Sequence, residues 1–153
     1  MHIEEKLAEL GLSLPVPPTP VASYVPSVLI GELLFLSGTT CYLDGEVMFT
    51  GRVGGDVSLE QGYQAARQTA LNLLSVIKAS TENLDRVKRL VKLNGYVNSA
   101  PDFFHQPEVI NGASDLFEQL FGEAGKHART AIGVSNLPGN IPVEIELIVQ
   151  LRT

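Results

Sequence analysis

The sequence predicts one α+β domain, a two-layer sandwich in which two long helices cover one face of a mixed six-stranded sheet. Three observations support this class. The chain has 153 residues, enough for one sizeable core and too few for two ordinary domains. Short β-rich runs alternate with two long segments of helical periodicity. Their order is strands, helix, strand, helix and two strands, which is typical of two packed layers.

The first 22 residues are predicted to form an N-terminal extension, and residues 23–153 the α+β domain. Residues 2–11 have the spacing of a short amphipathic helix, with Ile3, Leu7 and Leu10 on one side and Gly11 at its end. The next dozen residues, LSLPVPPTPVAS, hold four prolines, which exclude helix and ladder alike. We expect an extended surface arm there, either docked or a flexible linker.

The runs VPSVLIG, ELLFLSG and EVMFTGRVG follow and are predicted as strands, with Asp44-Gly45 as a hairpin turn. A long helix is then predicted to begin at Ser58, because Gln61 lies at the capping-box spacing and Leu59, Tyr63, Ala66, Ala70, Leu73, Leu74 and Ile77 give one apolar face.

The remaining elements follow the same patterns. Residues 86–97 are predicted as a strand with Val87, Val91, Leu93 and Val97 on one side. A second helix is expected within 107–121, started by Pro107 and stopped by Gly122. The chain is expected to end in a hairpin: residues 128–134, a type II turn at Leu137-Pro138-Gly139-Asn140, and residues 143–151 with strict alternation.

Composition narrows the range of functions. The formal net charge of −6 disfavours nucleic acid as a partner, because a phosphate backbone rewards clustered Lys and Arg. Charged residues make up only 18%, and the second face of the sheet is too apolar for water, so we expect oligomerisation through that face. The single cysteine, Cys41, excludes an internal disulfide, and no signal peptide or membrane helix is evident. We therefore expect a cytoplasmic protein.

Sequence motifs for cofactors are absent. There is no GxxxxGK[ST] loop, no GxGxxG after a strand and no HExxH, and His2, His105 and His127 lack metal-ligand spacing. We expect neither a metal nor another cofactor, and interpret the three histidines as surface or loop residues.

Polar residues in the last two strands are the candidates for chemistry. Arg129 offers a planar fork that grips a carboxylate through two parallel hydrogen bonds. It could equally form a structural pair with Glu144 or Glu146 on an adjacent strand. Either glutamate, when ionised, could orient a water molecule, and either could be an exposed strand carboxylate.

The C-terminal segment RTAIGVSNLPGNIPVEIE, residues 129–146, resembles the signature of the Rid (reactive intermediate deaminase, YjgF-like, endoribonuclease L-PSP) family. Upstream, Tyr24, Gly31 and Ser37-Gly38 fall where that family has its tyrosine, glycine and Ser-Gly elements. ARQ at 66–68 with Asn72, and then Asn111, match its two helices. The resemblance covers residues 20–152 and implies a chorismate-mutase-like homotrimer with clefts between subunits.

The resemblance implies hydrolytic deamination of 2-imino or 2-enamino acids, such as 2-iminopropanoate, to 2-keto acids and ammonia. In that reading Arg129 clamps the carboxylate, Glu144 and a main-chain carbonyl near the arginine orient the water, and a further set of residues lines the cleft: Tyr24, Ser37, Gly38, Asn111 and Ala131. The partner is then a small carboxylate metabolite.

Three departures bear on the substrate. Ala131 replaces a cysteine common in the family, Thr39-Thr40-Cys41 replaces a frequent glutamine, and the N-terminal extension marks a longer subgroup. A non-catalytic binding or regulatory module for keto acids is the alternative hypothesis. An endoribonuclease or translation inhibitor is less favoured, because the chain is acidic and lacks a histidine acid–base pair.

Overall fold

The computed structural model describes residues 2–17, 19 and 22–153. Within that part of the chain the order of elements is α1 (Ile3–Glu9), β1 (Ser27–Ile30), β2 (Leu33–Thr39), β3 (Tyr42–Leu43), β4 (Glu46–Val47), α2 (Leu59–Thr81), β5 (Val87–Asn98), α3 (Gln106–Phe121), β6 (Ala128–Val134) and β7 (Val143–Leu151). Three short 3-10 turns lie at Leu84–Arg86, Gly122–Gly125 and Pro138–Asn140.

Five strands form one mixed sheet in the order β1-β2-β7-β5-β6, and β3 and β4 form a separate two-stranded ribbon, in the part of the chain that the structure describes. Only β5 and β6 are parallel, and α3 connects them. The predicted α+β class is confirmed. The sheet has five strands instead of six because the third predicted run leaves the strand conformation after Val47: Gly51 and Gly54 adopt φ values of 122° and 89°, which favour glycine and turn the chain away.

Both long helices pack on the same face of the sheet. Ser58 and Gln61 form the predicted capping box, in which each side chain bonds the other residue's backbone N–H. Helix α2 contacts β2 and β7, and α3 contacts β5 and β6. The apolar side chains of β7 that point toward the helices are Val143, Ile145, Leu147, Val149 and Leu151, and all five are buried, as the alternation predicts.

Close helix packing depends on glycine. A β-carbon on Gly112 of α3 would lie 2.0 Å from the backbone oxygen of Tyr63 in α2. A β-carbon on Gly95 of β5 would lie 2.6 Å from Ile110 of α3. The missing side chains therefore set how closely α3 approaches both the other helix and the sheet.

Two predictions about the strands are wrong. The chain does not end in a hairpin, since β5 lies between β6 and β7 and pairs with both. The turn at Leu137 to Asn140 exists, with a hydrogen bond of 3.0 Å from the Asn140 N–H to the Leu137 carbonyl, but it carries the chain across β5. In β5, Leu90 is buried in place of Val91, because the register with β7 shifts on either side of Leu90 and reverses the alternation.

The N-terminal helix is attached to the domain core. Ile3 and Leu7 are buried in the same apolar cluster as the helices and the sheet, whereas Leu10 is exposed. The backbone N–H of Ile3 donates to Asp85 Oδ1 at 2.8 Å, and Lys6 donates to the Leu120 carbonyl at 2.9 Å. The predicted arm that follows has no regular secondary structure where it is described, and Pro18, Pro20 and Val21 lie outside the described residues.

Candidate functional site

A cavity of about 1000 Å³ opens beside the end of β2. The end of β2, the β3–β4 ribbon, helix α2, the start of β7 and described residues of the N-terminal arm surround it. Its walls include Tyr24, Ser37, Gly38, Asn72, Pro138 and Glu144. Four of the residues predicted for the site, Tyr24, Ser37, Gly38 and Glu144, thus share one cavity.

Hydrogen bonds fix the walls of this cavity. Asn72, buried in α2, donates through Nδ2 to the carbonyls of Thr40 at 2.6 Å and Tyr42 at 3.0 Å. It ties the chain after β2 to the helix. The Ser37 hydroxyl donates to the Val25 carbonyl at 2.6 Å, which fastens the segment that carries Tyr24. The cavity therefore has a preformed wall on the β2 side.

Glu144 is the acidic group of β7 that reaches this cavity. It lies on the face of the sheet that the helices leave open, and it is partly buried. A β-carbon on Gly38 would stand 3.1 Å from Oε2 of Glu144, so the glycine leaves room for the carboxylate. Burial raises the pKa of Glu144 above its ordinary value, and the nearby negative charge of Glu146 raises it further.

Glu146 has different surroundings on the same face. Its Oε1 accepts hydrogen bonds from the Tyr96 hydroxyl at 2.8 Å and from Nδ2 of Asn94 at 3.1 Å. The bond to Glu146 is the main reason that the pKa of Tyr96 lies above its usual value. Two carboxylates thus face the same way, but Glu146 is held by β5 while Glu144 is turned to the cavity.

Arg129 lies elsewhere, on the helix-covered face of edge strand β6. Its partner across the parallel pairing is Leu93, which is buried under the helices. Nη1 of Arg129 donates to Asn111 Oδ1 at 2.7 Å and to the Ser114 hydroxyl at 3.1 Å, both on α3. Ala131, two residues further along β6, is on the same face and packs partly against the core.

The guanidinium keeps one edge available. Among the residues that the structure describes, Nε and Nη2 of Arg129 have no hydrogen-bond partner and Arg129 joins no ion pair. The neutral oxygens of Asn111 and Ser114 orient the guanidinium without cancelling its charge. The Nε and Nη2 donors point the same way and match the two oxygens of a carboxylate.

The predicted residues therefore form two groups within one protomer. Tyr24, Ser37, Gly38 and Glu144 line the cavity, whereas Arg129, Asn111 and Ala131 cluster between β6 and α3. Strand β5 separates β6 from β7, and the Arg129 and Glu144 side chains leave opposite faces of the sheet. The structural pairing of Arg129 with Glu144 or Glu146 is excluded within a protomer.

Sequence reasoning missed Ser114 and His127, which complete the surroundings of Arg129. Ser114 lies one helical turn after Asn111, and His127 lies two residues before Arg129. The first spacing places Ser114 on the same face of α3 as Asn111, and the second places His127 on the same side of the chain as Arg129. Together they could have indicated a polar cluster around Arg129. All three histidines lie at the surface or in a loop, as predicted: His2 and His105 are exposed, and His127 is in the loop before β6, partly buried and hydrogen-bonded to Ser114 at 2.9 Å.

Within residues 2–17, 19 and 22–153, no group of three or more His, Cys, Asp or Glu side chains could hold a metal ion. No helix in that part of the chain is both long and apolar enough to cross a membrane.

Comparison with known proteins agrees with the fold described above. The family described as "YjgF/chorismate_mutase-like, putative endoribonuclease" matches residues 4–151. The chain is 43% identical to protein TCP17 of Trypanosoma cruzi over 99% of this chain and 95% of that protein. It is 30% identical to the 2-iminobutanoate/2-iminopropanoate deaminase of Dermatophagoides farinae over 92% of this chain and 95% of that protein.

Solved structures give the same result. The crystal structure of Atu1372 from Agrobacterium tumefaciens, a protein titled as of unknown function, is 44% identical and superposes with a TM-score of 0.92. The alignment covers 98% of this chain and 92% of that one. The fold and the family match define a YjgF-like α+β protein. The chain belongs to the YjgF/chorismate-mutase-like family, so the resemblance found in its sequence is confirmed.

Proposed function

We propose that this protein hydrolyses 2-imino acids, and the enamines in equilibrium with them, to 2-keto acids and ammonia. The observation that carries the proposal is Arg129, a charged guanidinium whose carboxylate-binding edge has no partner among the described residues. The name of a relative at 30% identity, the 2-iminobutanoate/2-iminopropanoate deaminase of Dermatophagoides farinae, supports this reaction class. The buried free thiol of Cys41 is compatible with the reducing conditions of the cytoplasm, where we place this activity.

Arg129 fixes the substrate in the proposed mechanism. Its Nε and Nη2 donate to the two carboxylate oxygens and leave the imine carbon at a defined distance and angle. A lysine could offer only a single ammonium to the same group. The clamp therefore supplies orientation as well as attraction.

Glu144 directs the water. Its ionised carboxylate accepts a hydrogen bond from a water molecule and takes the proton as the oxygen attacks the imine carbon. The carbon–oxygen bond forms while the carbon–nitrogen double bond becomes single. The proton passes to nitrogen and gives a carbinolamine. The new hydroxyl then gives up its proton, which Glu144 relays to the amine nitrogen, and the carbon–nitrogen bond breaks as the carbonyl forms, so that the keto acid and ammonia leave. A raised pKa makes Glu144 a better proton acceptor than an ordinary glutamate.

A site with both groups requires two protomers. Arg129 is on β6, an edge strand of the sheet that the described residues form, and Glu144 lines a cavity on the other face. The open face also exposes apolar side chains at Val28, Phe35 and Ile132. We propose that β6 of one protomer lies against the cavity of the next in a homotrimer, which creates three equivalent clefts.

Mixing two inactive variants tests this arrangement. Arg129→Ala and Glu144→Gln subunits are each expected to be inactive alone, because every cleft lacks one group. After denaturation and refolding together in equal amounts, random trimers would contain intact clefts made of Arg129 from one subunit and Glu144 from the next. About a quarter of wild-type activity should return, since three quarters of the trimers are mixed and each has one intact cleft of three.

The assay follows keto-acid release from an imine generated in place by an amino-acid dehydratase. An Arg152→Ala subunit mixed with wild type is the control, because Arg152 is exposed and its guanidinium contacts the Asp85 carbonyl. No recovery in the mixture, with each variant folded and trimeric, would contradict a shared cleft. Wild-type protein that binds pyruvate through Arg129 without accelerating its release would favour the binding module instead.

A further inference from the structure

A chain of hydrogen bonds begins at Nη1 of Arg129, on the side of the guanidinium that faces away from the proposed substrate. Nη1 of Arg129 contacts the Ser114 hydroxyl at 3.1 Å, and that hydroxyl contacts Nε2 of His127 at 2.9 Å. Nδ1 of His127 contacts the Gly125 carbonyl at 2.7 Å. The chain joins strand β6, helix α3 and the turn between them.

The chemistry of the last acceptor sets the direction of every bond. A carbonyl can only accept, so Nδ1 of His127 must carry a proton that it donates to Gly125. In the neutral ring Nε2 is then an acceptor, and the Ser114 hydroxyl donates a hydrogen bond to it. Because the Ser114 hydroxyl proton is donated to His127, the Ser114 oxygen accepts the hydrogen bond from Arg129, which can only donate.

The surroundings favour the neutral ring that this order needs. His127 is partly buried, and its ring meets the Phe117 ring edge to face, with centroids 6.2 Å apart. Burial lowers the pKa of His127 below its usual value, and the positive charge of Arg129 lowers it further, against the opposing effect of the Gly125 carbonyl. A protonated ring could not accept from Ser114 and would repel the guanidinium.

Asn111 alone does not fix the guanidinium plane. One hydrogen bond from Nη1 leaves the group free to rotate about that contact, whereas a second acceptor at Ser114 fixes its direction. The plane matters because Nε and Nη2 bind a carboxylate together only when both point at it.

We propose that Ser114 and His127 are positioning residues that lock the Arg129 guanidinium with its Nε/Nη2 edge turned toward the carboxylate of the substrate. The inference rests on the proposed function for the identity of that carboxylate. The locking itself is a property of the protomer and is measurable without turnover. Neither residue touches the reacting atoms, so both act on substrate affinity more than on the chemical step.

The first test is nitrogen NMR on the full-length protein at pH 7. We expect the His127 ring to show the neutral tautomer with the proton on Nδ1, and the Arg129 guanidinium signals to move in Ser114→Ala. A ring protonated on Nε2, an imidazolium, or Arg129 signals that do not change would overturn the proposal. This measurement holds whether or not the protein turns over an imine.

The second test separates affinity from turnover. Ser114→Ala, and His127→Phe, which keeps an aromatic ring beside Phe117, should weaken pyruvate binding and raise KM about tenfold, as expected for one lost hydrogen bond to a charged group. The kcat should stay within about threefold of wild type, since the water-directing group is untouched. His127→Gln retains an acceptor and should recover most of the affinity.

Two control variants replace similar residues outside the chain of bonds, Ser80→Ala and His105→Gln, and should bind pyruvate as wild type does. Unchanged pyruvate affinity in Ser114→Ala, or a loss confined to kcat, contradicts the positioning role. Wild-type protein that binds pyruvate through Arg129 but hydrolyses no imine contradicts the proposed function. The measurement of pyruvate affinity in the variants still tests the positioning role in that case.

Discussion

At the scale of single residues, two charged groups in this protein have opposite surroundings. Arg129 is surrounded by neutral oxygens from Asn111 and Ser114, so its charge remains available to an anion. Glu144 sits partly buried beside a second carboxylate, so its charge is disfavoured. Each is poorly compensated inside its own protomer, which is typical of groups kept for a ligand.

Arg129→Lys is expected to lower kcat/KM at least about tenfold, because the ammonium replaces two charge-assisted hydrogen bonds by one. The measurement is steady-state release of keto acid from an imine generated in place. Arg152→Lys, an exposed arginine near the C-terminus, is the matched control and should behave as wild type. Full activity in Arg129→Lys would rule out the two-point grip on the carboxylate.

Glu146→Gln should lower the pKa of Glu144, since it removes the nearby negative charge and leaves only burial to raise that pKa. A carboxylate is active when ionised, so activity is lost as the pH falls through its pKa. The acid limb of the kcat profile should therefore move to lower pH. Carbon NMR titration of the Glu144 carboxyl measures the same shift directly, with Glu118→Gln as the control. An upward or absent shift would contradict the charge coupling.

Only some of the residues of the candidate site could be predicted from the sequence. The side chains of Arg129 and Glu144 were identifiable because arginine and glutamate are unusual in strongly apolar strands. Ser114 and His127 were not, because a helix serine and a loop histidine are common on any protein surface. Their spacing from Asn111 and Arg129 places them near those residues, but their significance comes from contacts between β6 and α3, which spacing alone does not establish.

At the scale of elements, local signals predicted well and long-range pairing did not. The capping box at Ser58, the stop at Gly122 and the alternation of β7 depend on neighbours in sequence, and all appear in the structure. The prediction of a final hairpin was wrong because a favourable turn sequence at Leu137–Asn140 does not determine whether β6 and β7 pair with each other. In the parallel β5–α3–β6 unit, β5 pairs with β6 and also with β7, so it lies between the two strands.

Gly112→Ala is the prediction for helix packing. A methyl group there would overlap the Tyr63 backbone oxygen, which no side-chain rotation can relieve. We expect a loss of about 3 kcal/mol in the free energy of unfolding. Thermal unfolding should show a Tm lower by about 10 °C, with Glu118→Ala on the exposed side of α3 as control. A Tm like that of wild type would mean that the two helices lie further apart.

At the scale of the whole molecule, one face of the sheet is not covered by the helices. This face exposes Val28, Ile30, Phe35 and Ile132 alongside the polar groups of Glu146 and Tyr96. The net charge is only −6, and β6 lies at the edge of the sheet that the described residues form, so little opposes association of identical chains. The sequence predicted that a second copy covers this face, and the proposed shared cleft gives a functional reason for that association.

The separation of Arg129 from the cavity also bears on when the protein can work. On the proposed arrangement, a single newly synthesised chain has no complete cleft and is catalytically silent until it assembles with other copies. Output per chain would then climb steeply with abundance at low copy number and level off once assembly is complete. Dilution alone would silence the protein reversibly, so gene dosage and expression level could switch it on without any dedicated regulator.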